Sequence, residues 1–156
     1  MIDGISLKIL KILQKKARIP NVEVARQVGL APSAVLERIR KLEKLGIIKG
    51  YEVLLNPEFF GRGLVAFLTV KTSENANDAE IGKKIAHRPK VQEVHYVAGD
   101  DAFLVKVRGS NPEELDRLIR EKIKSIDGVQ SINTAIVFST YKETSQIPID
   151  GTGEKT

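Results

Sequence analysis

The stretch "VGLAPSAVLERIRKLEKLG", Val28 to Gly46, decides how the N-terminal part of the chain folds. Gly29 provides a residue at ease in the left-handed conformation that ends a helix. Pro32 suits the first turn of the next one, because its missing N–H would have no intrahelical partner there anyway. At about 100° per residue, Val35, Ile39 and Leu42 form one stripe of that helix, with Leu36 and Leu45 at its margins. Ser33, Glu37, Arg40, Lys41 and Lys44 fall on the opposite side. Short polar groups near the start and cations towards the end suit a helix lying in the major groove of a duplex, where the first turns meet base edges and later cations meet phosphates. Glu37 has two readings: acceptance from a cytosine amino group, or an ion pair with Lys41 four residues on.

The preceding residues supply two more helices. From Asp3, an N-cap candidate, Ile5, Ile9, Ile12 and Leu13 recur at helical spacing with Lys8, Lys11 and Lys15 opposite, and this helix ends near Arg18, Ile19 and Pro20. Asn21 is placed to cap a short second helix, Val22 to Val28, in which Val24, Ala25 and Val28 face inward. A small residue four before a glycine lets two helices cross closely, as a helix-turn-helix requires. Charge follows the same division. Residues 1–60 hold eleven Lys or Arg against six Asp or Glu, whereas residues 61–156 hold fourteen of each, so the whole net charge of +5 belongs to the N-terminal part. Concentrated positive charge is what a polyanion-binding module needs, since phosphate neutralisation with counterion release drives such binding. The candidate DNA-facing set is Asn21, Pro32, Ser33, Ala34, Glu37, Arg38, Arg40, Lys41, Lys44 and Lys49.

The run from Leu7 to Gly61 resembles the N-terminal half of the leucine-responsive/AsnC (feast/famine) family of bacterial and archaeal transcription regulators. The likeness rests on "VGL" at Val28 to Leu30, on Pro32, and on "RIRKLEKLGIIKGY" at Arg38 to Tyr51. Such proteins usually carry a capping serine where this chain has Ala31, a change that costs about 1 kcal/mol of helix stability and one phosphate contact. The resemblance implies sequence-specific DNA binding, dimers that assemble further into octamers or other rings, and an amino-acid site where dimers meet.

After Gly46, "IIKGYEVLLN" alternates as a strand would, and "NPEFFGRG" reads as a turn and linker. The boundaries expected are therefore a helix-turn-helix domain over 1–50, a strand and linker over 51–63, a second domain over 64–141, and a tail over 142–156. The second domain repeats itself faintly. "AFL" occurs at Ala66 and at Ala102, "VQ" at Val91 and at Val129, and between them lie helical segments opened by polar caps, Asn77 to His87 and Asn111 to Ser125. Each half is strand, helix, strand, so the pair predicts a ferredoxin-like β-α-β-β-α-β arrangement, and the chain as a whole an α+β fold. Both sheet faces read as apolar: Val65 and Phe67 alternate with Leu64 and Leu68, Val94 and Tyr96 with Val91 and Val97, Ile136 and Phe138 with Ala135 and Val137. An uncovered apolar face exceeds what a soluble monomer tolerates, so the sheet is expected to bury it against a second copy. A dimer would also present two DNA-reading helices to half-sites about one helical turn apart.

"HYVAGDDAFLVKV" joins the halves through Gly99, Asp100 and Asp101. From residues alone this is a hairpin turn. The family resemblance makes Gly99, Asp100, Asp101 and Thr134 an amino-acid effector set, with Asp101 standing where an aromatic and Ala102 where a second acid is usual. A carboxylate there would hold a ligand's amino group. His87 reads as a helix cap, and His95 has no partnering histidine, cysteine or placed acid nearby. No catalytic, metal or cofactor group is expected, nor a membrane span or signal peptide, and the absence of cysteine fits the cytoplasm. Periodicity fades after Pro148, with flexibility expected from about Asp150. A different organisation, a ferredoxin-like small-molecule-binding protein or enzyme whose basic helices serve only dimerisation, fits the same pattern less fully. RNA binding by the sheet lacks the basic surround that Phe67, Tyr96 and Phe103 would need.

Overall fold

A computed structural model describes residues 2–149, and these divide into two compact units between Leu54 and Leu55. The segment from Glu143 onward belongs with the N-terminal unit, so the chain passes between the units twice. The flexible end expected from Asp150 lies outside the described residues.

The N-terminal unit is built from α1 (Gly4–Lys15), α2 (Asn21–Val28) and α3 (Pro32–Lys44). Asp3 caps α1 by accepting from the Ser6 amide at 2.7 Å. Asn21 does not cap α2: it is the first helical residue, and the backbone carbonyl of Pro20 accepts the Glu23 and Val24 amides at 2.9 and 3.2 Å. Gly29 ends α2 at φ +72°, its amide bonded back to the Ala25 carbonyl. Ile9, Leu13, Val24, Ala25, Val35 and Ile39 interlock as one buried cluster. The expected strand over Ile47 to Asn56 is absent: no residue between Lys49 and Asn56 joins a ladder. A strand persists only where its N–H and C=O groups find a neighbouring ladder, and this unit holds no other strand among the described residues. Val53 and Leu54 consequently stand 82% and 90% exposed. The returning C-terminal segment is fastened to α1 through Gln14, whose side chain donates to the Ile147 carbonyl at 3.0 Å and accepts from its amide at 2.9 Å, while Gln146 donates to the Gln14 carbonyl.

In the second unit a 3₁₀ turn (Pro57–Phe60) leads to β1 (Leu64–Thr72), α4 (Asp78–Ala86), β2 (Val91–Val97), β3 (Ala102–Gly109), α5 (Pro112–Arg117), a π-helical continuation (Leu118–Ile123) and β4 (Val129–Ile136). Asn77 and Asn111 cap α4 and α5, accepting from Glu80 and Glu114 amides. The four strands are antiparallel in the order β2-β3-β1-β4. That is the ferredoxin-like order which the internal repeat predicts. Residues directly opposite in such ladders share a face. Leu68 pairs with Val105, and Val70 with Phe103, beneath Ile81, Ile85, Leu115, Leu118 and Ile123.

The sequence reading of the sheet needs two corrections. A register shift between Val91 and Glu93 turns Val91 onto the same face as Val94, because an extra residue in a two-residue period reverses every side chain beyond it. The face away from the helices is also less apolar than the alternation suggests: Glu93, His95, Lys106 and Arg108 lie there beside Val65, Phe67 and Leu104. Glu93 accepts from Lys106 at 3.1 Å and lies 3.3 Å from His95, giving that histidine an acid partner two residues away. Phe138 falls beyond the end of β4 and is 98% exposed.

Two outcomes follow from this packing. Leu68→Ala should cost about 2–5 kcal/mol by chemical denaturation, since Leu68 is fully enclosed in the sheet core. Gln14→Ala should leave the fold intact yet speed amide hydrogen exchange at Ile147, read by mass spectrometry or NMR.

Candidate nucleic-acid interface

The inner stripe of α3 is buried as the spacing requires, with Val35 at 0%, Ile39 at 6% and Leu42 at 4% exposure. Burying that stripe turns Ser33, Glu37, Arg40, Lys41 and Lys44 to the surface, and all five are exposed. Pro32 is exposed beside them and Ala34 half-buried, while Asn21 is half-buried at the start of α2. Ala31 stands at the N-cap of α3 and makes no side-chain cap, so the first amides of the helix keep unpaired donors. Unpaired amides at a helix N-terminus favour an anion. Glu37 makes no ion pair with Lys41, and Arg40, Lys41, Lys44 and Lys49 have no carboxylate partner among the described residues.

Arg38 behaves differently from its neighbours. Its guanidinium reaches back to Asp3 at 2.6 Å and to the Ser6 hydroxyl at 3.2 Å, bracing α3 against the start of α1. Nothing local in the sequence joins residues 35 positions apart, so only the fold reveals this use. On α2, Arg26 is likewise engaged by Glu23, whose carboxyl is held down to about 2 by Arg26 and Gln27. Gly46 takes φ +69° after α3, and Tyr51 then donates to Glu43 at 2.9 Å. Partial burial and that acidic partner push the Tyr51 phenol up to about 12.

The effector candidates occupy a separate place. Gly99 and Asp101 form the β2–β3 turn with φ of +97° and +45°, and Asp101 is the one non-glycine residue in the left-handed region among those described. Gly99, Asp100 and Asp101 are all exposed. Thr134 is exposed on β4, opposite Leu68 of β1. Since β1 lies between β3 and β4, one chain does not bring Thr134 against the turn.

A helix-turn-helix whose second helix shows an unpaired cationic face, followed by a ferredoxin-like unit, defines a DNA-binding transcription regulator with a regulatory domain. Comparison with known proteins is consistent throughout. Residues 2–49 match the winged helix-turn-helix DNA-binding model, and residues 65–147 match the Lrp/AsnC ligand binding domain. The chain belongs to the Lrp/AsnC family of transcription regulators. It is 39% identical over 148 residues to the HTH-type transcriptional regulator FL11 of Pyrococcus horikoshii, covering 95% of this chain and 97% of that one. It is 34% identical over 150 residues to the leucine-responsive regulatory protein of Escherichia coli, covering 95% and 92%. Among solved structures, a Neisseria meningitidis transcriptional regulator in complex with L-Met superposes with TM-score 0.89 at 30% identity, covering 96% of this chain and 98% of that one.

The Asp3–Arg38 brace sets a pH dependence. Arg38 first, then the Ser6 amide, holds the Asp3 carboxyl well below its ordinary value. A depressed carboxyl stabilises the fold above the unfolded-state value near 3.8, and that contribution is lost as pH falls through the lower folded-state value. Asp3→Asn should therefore lower the melting temperature at pH 7, and the gap from wild type should narrow as the pH drops below about 4. An unchanged gap across that range would show that the brace carries no charge-dependent stability.

Proposed function

We propose that α3 is the helix that enters the major groove, with Ser33, Ala34 and Glu37 towards base edges and Arg40, Lys41, Lys44 and Lys49 on phosphates. The observation that carries this reading is the exposed, unpartnered cationic end of α3 above a fully buried stripe. Pro32 and Asn21 lie close to the backbone at the edges of that surface. Arg38 braces α3 through Nη1, which donates to Asp3 and Ser6, and its Nε and Nη2 keep donors for a phosphate at the edge of that surface. A regulator of this kind works beside the chromosome, which makes the protein cytoplasmic; no helix among the described residues is long and apolar enough to cross a membrane. Its relatives are named as regulators, and we read this chain as a regulator and not an enzyme.

The working form is a homodimer, assembling further into octamers or other rings. Leu55, Phe59, Phe60, Phe138 and Tyr141 of the second unit are between 61% and 99% exposed. Large apolar side chains in that number are covered in most soluble proteins, and a second copy is the cover we assign. The effector is an amino acid held at the Gly99–Asp101 turn, its ammonium facing Asp100 or Asp101. Thr134 reaches that site from another copy, since a single chain holds it apart. The L-Met complex of the Neisseria relative supports the ligand class.

Binding to the promoter upstream of its own gene, compared with an unrelated duplex of equal length across a salt series, tests the DNA reading. Arg40→Ala and Lys41→Ala should each weaken binding to every duplex and lower the slope of log K against log salt by about 1, while the assembly keeps its mass by light scattering. Wild-type binding by both variants would place the DNA surface elsewhere. Phe138→Glu should reduce the mass towards a single chain, and an unchanged mass would remove that residue from the interface.

A further inference from the structure

Residues 4–21 carry Lys8, Lys11, Lys15, Lys16 and Arg18 and no acid, nearly half of the eleven cations in residues 1–60. All five are exposed, and none belongs to the DNA-facing set around α3. Lys8, Lys11 and Lys15 fall within about 60° of one another around α1, opposite the buried Ile9 and Leu13. At about 1.5 Å per residue the stripe runs about 10 Å along the helix. The returning C-terminal segment, fastened at Gln14, leaves it uncovered.

A helix face that serves only solubility mixes the signs of its charges. Here Lys8 and Lys11 stand three apart and Lys11 and Lys15 four apart, spacings at which like charges repel and weaken the helix. The helix dipole favours Lys15 in the last turn but does nothing for Lys8 and Lys11 in the middle. Nearby carboxylates are already engaged, Asp3 by Arg38 and Glu23 by Arg26. Lys16 lies near enough to Glu23 to help hold its carboxyl down, whereas Lys8, Lys11, Lys15 and Arg18 have no carboxylate partner among the described residues. The direction of the stripe is fixed by the core. Ile9 and Leu13 of α1 meet Val35 and Ile39 of α3, so the lysine stripe and the cationic end of α3 look outward on different sides of one small unit. One straight duplex cannot lie against both.

We propose that the outer face of α1 is a second duplex-binding surface, on which Lys8, Lys11 and Lys15, with Lys16 and Arg18 at its end, meet the phosphates of a DNA segment other than the one held by α3. This rests on the reading of α3 as the groove helix. Over about 10 Å a duplex presents about six charges, so the row neutralises several at once with release of their counterions. Ammonium groups act there as point charges and read no base edge. Gln14, the amide side chain of the same helix, is taken up by Ile147. The second segment is therefore held without regard to its sequence.

A capture assay with the full chain tests the surface. The promoter duplex is fixed to beads by one end, protein is bound, unbound protein is washed away, and retention of a free fluorescent duplex of unrelated sequence is measured. Wild type should retain the free duplex. Lys8→Gln, Lys11→Gln and Lys15→Gln combined should cut retention at least about fivefold, since three phosphate contacts are lost. Affinity for a single promoter duplex should stay within about twofold at about 0.15 M salt, where screening over about 8 Å separates the two faces. Glutamine keeps the helix propensity of lysine, so α1 persists in the variant. Lys8→Arg, Lys11→Arg and Lys15→Arg combined should retain the free duplex as wild type does. No retention by wild type overturns the proposal. So does undiminished retention by the glutamine variant, which would leave the bridging to α3 faces of separate copies. An equal loss of retention and of single-duplex affinity also overturns it, because α1 would then belong to the surface that holds the first duplex. Failure of the α3 reading shows elsewhere, as wild-type single-duplex affinity in Arg40→Ala and Lys41→Ala.

Discussion

Burial of Val35, Ile39 and Leu42 is the constraint from which the DNA-facing surface follows. Once Val35 and Ile39 seal against α1 and α2 and Leu42 is buried further along the helix, the 3.6-residue period leaves no choice about where Ser33, Glu37, Arg40, Lys41 and Lys44 point. Two further contacts make the orientation rigid. Gly29 turns the chain sharply between α2 and α3, and the Arg38–Asp3 ion pair fixes the start of α1 to the middle of α3. A helix backbone held this way loses little freedom when it docks, whereas the unpartnered Arg40, Lys41 and Lys44 side chains still have to be ordered.

Charge and apolar surface are divided between the units in a way that suits two separate tasks. The net +5 is matched by residues 1–60 alone, while the second unit, Leu55–Lys142, holds 13 Lys or Arg against 12 Asp or Glu, a net charge of +1. A nearly neutral unit with exposed Phe59, Phe60, Phe138 and Tyr141 can meet copies of itself without the repulsion that a strongly charged surface would impose. The basic unit, by contrast, is drawn to a polyanion.

Much of this was readable from residue patterns because the patterns are local. Helical spacing located α1, α2 and α3 within a few residues of their ends, the Asp3 cap included, and the repeat of "AFL" and "VQ" was enough for the strand order. What escaped depends on partners distant in sequence. Alternation over Ile47–Asn56 suits a strand, but pairing is decided by a neighbour, and none is present in that unit among the described residues. The shift at Val91–Glu93 is set by the fit against β3 and inverts a face that alternation alone assigns wrongly. The brace made by Arg38 could not be read from local sequence because its carboxylate partner lies 35 residues earlier. The Gly99–Asp101 segment is legible only as a turn. Its left-handed Asp101, uncommon for a residue with a Cβ, is a feature that the fold alone exposes.

The chain passes between the units twice, once before β1 and once after β4. A ligand shifts an equilibrium only through contacts that differ between two states, and those contacts must reach the element that changes. Here the entry to β1 and the exit from β4 lie side by side, with Ala66 opposite Ile136 and the Val137 amide bonded to the Val65 carbonyl at 2.9 Å. The segment before β1 descends from the DNA-binding unit, and the segment after β4 returns to it and is held on α1 by Gln14. Both covalent routes therefore leave from one edge pair of strands. The three hydrogen bonds at Gln14 make the second route a tether with a defined attachment on α1 instead of a loose tail.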